Sequence, residues 1–296
     1  MCLILFSINS HPQLPLVIAA NRDEFYRRPT LAASFWDDQP MMLAGKDLEA
    51  GGTWMGITRK GRFAALTNFR SPNSKNPKNL LSRGELVRDF LSQEKNNPIS
   101  AISFAEKAIN DGSHYAGFNL LIKDDNDFVY CNNQTNETQI LSPGTYALSN
   151  HLLNTPWPKV ITGRTELRDR INNTSKKMTE EKTARLANSL FEILQNKAQA
   201  PETKLPRTGI DENMERLLSS LFIESEHYGT CSSTTIIFNK DNNVYFHEKN
   251  YYTDKHRKAH QKSGVDFFNR SPPKNKDDGQ YLTDSSGDNI FNFTLE

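Results

Sequence analysis

Met1-Cys2-Leu3-Ile4-Leu5-Phe6-Ser7-Ile8 and Leu16-Val17-Ile18-Ala19-Ala20-Asn21-Arg22-Asp23-Glu24-Phe25 open this chain. The two apolar runs are separated by Asn9-Ser10-His11-Pro12 and read as a β-hairpin; being apolar throughout, both strands read as covered on two faces. Hairpin pairing brings the end of the second strand beside the start of the first, so the polar cluster Asn21-Arg22-Asp23-Glu24 arrives next to Cys2. Once Met1 is removed, Cys2 carries both a thiol and a free α-amine. An ordinary thiol titrates near about 8.5 and an α-amine near about 7.7–8.0, so one residue then supplies nucleophile and base. Asp23 in that place holds or orients the amine, and Arg22 lowers the thiol pKa or binds an anionic group. The plainer alternatives are a buried, inert Cys2 and a strand-end salt bridge.

Composition bounds the function classes. The chain has 296 residues, 36% hydrophobic and 24% charged, with Lys+Arg of 36 against Asp+Glu of 35 and a net charge of +1. That is a globular composition with no global field toward nucleic acid or an anionic membrane. Cys2, Cys131 and Cys231 cannot all pair and show no C-x-x-C spacing, which points to a reducing, cytoplasmic setting and away from structural zinc. The histidines show no metal-ligand spacing, and no Gly-rich phosphate loop is present, so no metal and no required cofactor are expected. No stretch approaches the roughly twenty apolar residues that cross a bilayer, and the first twenty residues lack the basic start of a signal peptide.

Further along, Gly51–Ile57 and Arg62–Asn68 read as strands. Ser82-Arg83-Gly84-Glu85 has the pattern of a capping box before a helix, and Asn97-Pro98 opens a second helix. Strands resume over 117–122, 128–131, 140–141 and 146–148. Helices follow from about Pro156, near 180–195 and near 212–222, before a last hairpin at 233–238 and 244–248. Strands, helices, strands, helices, strands: this order suits antiparallel sheets covered by helices, an α+β fold. Residues 1–253 read as one domain. Residues 254–288, basic and then polar, read as a mobile insertion, and 289–296 alternates again as a returning edge strand.

Several motifs stand in one order: Met1-Cys2, Asn21-Arg22-Asp23-Glu24-Phe25, Gly51-Gly52-Thr53-Trp54, Ala65-Leu66-Thr67-Asn68, Ser82-Arg83-Gly84-Glu85-Leu86, Gly117-Phe118-Asn119-Leu120, Leu148-Ser149-Asn150 and Tyr228-Gly229-Thr230. This order resembles the NRDE family, which is itself similar to N-terminal-nucleophile hydrolases of the choloylglycine hydrolase and penicillin V acylase branch. The resemblance implies a four-layer α-β-β-α sandwich. It implies Cys2 as nucleophile, Asp23 as the partner of its amine, and Asn68 and Asn150 as amide donors near the reacting carbonyl. Arg22, Asn21, Glu24 and Trp54 then line the substrate side. Where some members carry Arg after Tyr-Gly-Thr, this chain has Cys231.

The expected activity is amide or thioester hydrolysis. The alternative that the resemblance implies is a non-catalytic carrier of haem or of acyl-CoA and lipid metabolites, with mitochondrial or Golgi association in a eukaryote. In either case the ligand is small and amphipathic: an N-acyl amide, an acyl-CoA or haem. A strand-end carboxylate with such a role is expected to contribute little to stability, so Asp23→Ala is expected to remove function and spare the fold.

Overall fold

The computed structural model describes residues 2–70, 79–93, 98–251 and 288–296, together with the backbone of 280–283. The paired strands β1 (Cys2–His11) and β2 (Leu14–Phe25) are joined at residues 12–13. They sit within a seven-stranded sheet that also holds β10 (Gly144–Leu148), β11 (Tyr228–Phe238), β12 (Asn243–Asn250), β13 (Gln280–Thr283) and β14 (Asn289–Thr294), in the order β10-β1-β2-β11-β12-β14-β13. A second seven-stranded sheet runs in sequence order through β3 (Thr30–Trp36), β4 (Gln39–Asp47), β5 (Met55–Thr58), β6 (Phe63–Asn68), β7 (Phe118–Lys123), β8 (Phe128–Asn132) and β9 (Glu137–Ile140). Every neighbouring pair is antiparallel.

Three apolar clusters define four layers. Ile4, Phe6, Ile8, Leu16 and Ile18 meet Leu43, Ile57, Phe63, Leu121 and Phe128 between the sheets. Leu3, Leu5, Val17 and Ala19 face the other way, onto α3 (Pro158–Asn172) and α4 (Glu180–Leu194) through Val160, Leu167, Leu186 and Leu190. The outer face of the second sheet packs Ala64, Leu66, Leu120 and Ile122 on α1 (Gly84–Leu91) and α2 (Ala101–Asn110). Both faces of β1 and β2 are therefore covered, which is why these strands read as unbroken apolar runs. The α-β-β-α arrangement expected from the motifs is the one observed.

Four local readings differ. β3, the edge strand, and β4 beside it escape a hydrophobicity reading because both are half-buried with weak alternation. The second helix starts at Ala101, where the Ser100 side chain accepts from the Ser103 N–H, rather than at Asn97-Pro98. α5 spans only Glu212–Leu217. In the expected insertion 254–288, residues 254–279 and 284–287 lie outside the described residues, but Gln280–Thr283 forms β13 and pairs with β14, so β14 is not the edge strand.

Candidate active site

Period two along β1 and β2 sorts the polar cluster. Ile4, Phe6, Ile18 and Ala20 point between the sheets, and Cys2 pairs with Arg22 in unbroken register. Cys2, Arg22 and Glu24 therefore fall on the inter-sheet side, and Asn21 and Asp23 on the helical side. The sequence reading grouped all four polar residues around the thiol; the pleat divides them two and two.

On the inter-sheet side a cavity of about 400 Å³ is lined by Cys2, Arg22, Glu24, Trp54, Asn68 and Arg83, with Asp23 also at its border. Arg22 is 8% exposed, and a Glu24 carboxylate oxygen lies 3.9 Å from its Nη2. Arg28, on the same cavity, is bound to Asp47 at 2.8 Å. Arg83 donates to the Gly117 carbonyl at 3.1 Å, and burial lowers its pKa. It occupies the N-cap position of α1 with no side-chain cap, so the capping box expected at Ser82 is absent. A cation at the positive end of a helix dipole is locally unfavourable, but that mismatch does not by itself place Arg83 at the cavity.

Gly52 fixes the approach of this helix to the cavity. A Cβ there would lie 2.6 Å from the Gly84 carbonyl carbon, so only glycine lets the turn before Trp54 touch the first residue of α1.

The thiol of the half-buried Cys2 is pushed up by burial, against which a backbone hydrogen bond from Asp23 and the Arg22 charge act. Its carbonyl accepts from Ser149 Oγ at 3.2 Å. Asp23 is 1% exposed; Oδ1 accepts from Thr230 Oγ1 at 2.7 Å, and its carbonyl accepts from the Tyr228 hydroxyl at 3.0 Å. Burial raises the Asp23 pKa, and Lys159 and Arg22 pull it down. Lys159, in the first turn of α3, carries nothing in the sequence that marks it as a site residue.

Asn21 is corrected from a cavity residue to a structural clamp. It is fully buried, its Nδ2 donates to the Leu194 and Leu221 carbonyls at 2.9 Å each, and its Oδ1 accepts from Ser233 Oγ at 2.5 Å. Asn21→Ala should cost on the order of 2–3 kcal/mol by leaving these groups unpaired, read as a lower urea midpoint at unchanged slope.

The two expected amide donors also separate. Asn68 ends β6 at the cavity. Asn150 is 1% exposed, does not line it, and donates from Nδ2 to the Asn68 carbonyl at 3.0 Å. Cys231 fills a bulge between Thr230 and Ser232, and burial pushes its thiol up to about 11. Among the described residues no group of three or more His, Cys, Asp or Glu could hold a metal ion, and no helix is long and apolar enough to cross a membrane.

The family described as Transport and Golgi organisation 2 matches residues 1–253. The Transport and Golgi organization protein 2 homolog of Bos taurus is 35% identical over 265 residues, covering 84% of this chain and 92% of that protein. The human homolog is 34% identical over 266 residues with the same coverage. Among solved structures, a Caenorhabditis elegans ortholog of N-acylethanolamine-hydrolyzing acid amidase shares 12% identity at a TM-score of 0.43, covering 80% of this chain and 92% of that one. That likeness is too distant to carry an argument about chemistry.

Proposed function

Because the chain belongs to the Transport and Golgi organisation 2 family, whose motifs frame the cavity, we propose that it is a cysteine hydrolase acting on an amide or thioester. The observation that carries the reading is the position of Cys2: a half-buried residue at the first strand's start, lining a cavity with Arg22 and Asn68. Removal of Met1 frees the α-amine. The thiol proton passes to that amine as Sγ bonds to the carbonyl carbon, and the Asn68 amide donates to the oxyanion that forms. The amine returns the proton to the leaving amine or thiol as the carbon–heteroatom bond breaks. Water, deprotonated by the same amine, then splits the acyl-cysteine thioester. Arg22 and Arg83 favour a substrate with an anionic group near the scissile bond, and Trp54 supplies an apolar wall.

A second reading, carriage of haem or acyl-CoA without cleavage, is favoured by one observation: burial pushes the Cys2 thiol up, toward its less nucleophilic form. Incubating the full chain separately with an acyl-CoA, an N-acyl amide and haem separates the two. Under the hydrolase reading, a Cys2 peptide carrying the acyl mass and steady product release are expected from the first or the second compound. Binding of any of the three with neither product nor adduct would favour the carrier.

A further inference from the structure

Lys159 lies in the first turn of α3, on the helical side of the first sheet. It is 2% exposed, and its Nζ has no hydrogen-bond partner among the described residues. A buried ammonium in that state is costly unless an opposite charge faces it. The charges around it come from four elements: Cys2 of β1, Asp23 of β2, Arg70 after β6 and Glu215 of α5. Glu215 is already committed, since it pairs with Arg70 at 3.7 Å and accepts from the Thr208 N–H at 2.7 Å and from the Thr208 hydroxyl. Arg70 repels Lys159 and lies over the Trp157 ring. The Tyr228 hydroxyl sits on the Asp23 carbonyl. Of the two carboxylates, Asp23 pulls harder on Lys159 than Glu215 does, and it lies on the helix-facing side of β2.

We propose that Lys159 is a positioning residue for Cys2: its buried ammonium holds Asp23 as a carboxylate, and that carboxylate in turn holds the α-amine of Cys2 beside its thiol. This rests on the hydrolase reading. Each of the two buried groups alone favours its neutral form, and the opposite charge of the other works against that shift. Burial draws Lys159 down to about 8, with Asp23 opposing.

The test is peptide-resolved alkylation of Cys2 by iodoacetamide across pH on the full chain, which needs no substrate. Lys159→Met should slow alkylation at pH 7.5 by about tenfold and move the profile up by about one pH unit. Lys159→Arg, which keeps the charge, should stay within about threefold of wild type. In an Asp23→Asn background, Lys159→Met should change the rate less than about twofold, because the two residues act as one unit. That double variant buries neither charge, so it remains measurable should the single variant fail to fold. An unshifted Cys2 profile in folded Lys159→Met would overturn the proposal, as would an equal loss when Asp23 is already Asn. The predicted shift without any turnover would support the Lys159 role and remove the hydrolase reading alone.

Discussion

Cys2→Ala should lower amide or thioester turnover by roughly a thousandfold or more while moving the melting midpoint by less than about 2 °C. The side chain is small, partly exposed and at the end of a strand, so its removal opens no large cavity in the core. It leaves no accessible thiol, because the other two are buried: Cys131 is fully buried in the outer cluster of the second sheet, and Cys231 is held in its bulge. Cys2→Ser tests the same point more finely. A hydroxyl at that position retains the geometry but has a far higher pKa, so its activity should fall close to that of the alanine variant. Equal turnover in wild type and Cys2→Ala would move the chemistry to another residue.

Asp23→Ala should destabilise the fold by about 3–5 kcal/mol, the cost of leaving a buried charge without its counterpart. A strand-end carboxylate read from sequence alone looks dispensable for stability. In the structure it is 1% exposed, accepts from Thr230, and its charge acts on the buried Lys159, so its loss strands a buried ammonium as well as a hydroxyl. Asp23→Asn keeps an oxygen for Thr230 and should cost less, while impairing turnover comparably. Urea titrations of both variants decide it: an alanine variant as stable as wild type would show that Asp23 carries no buried charge.

The hairpin of β1 and β2 and the nearness of Cys2 to Arg22 were legible because they follow from local apolar runs and a short turn, whereas the four layers were legible only through the resemblance that the ordered motifs carry. The division of Asn21-Arg22-Asp23-Glu24 was not. Strands covered on both faces lack the alternation that reveals which residues share a side, so parity became visible only once the two core clusters were distinguished. Asn21 therefore looked like a site residue, although its partners are carbonyls 173 and 200 positions away. Lys159 and Arg83 were missed for a related reason. Each reaches the site from a helix start far along the chain, and nothing in the local sequence places those starts beside Cys2. Asn150 was legible as a neighbour of the site, but only the packing shows that it supports the Asn68 backbone.

The central claim is that Cys2 works through its own α-amine, and the intact mass of the purified full chain tests it most directly. The account predicts a mass short by the initiator methionine, with a further acyl increment on brief exposure to a thioester or amide substrate. A mass that retains Met1 in protein that turns substrate over would contradict it, since a peptide nitrogen at Cys2 cannot serve as the base.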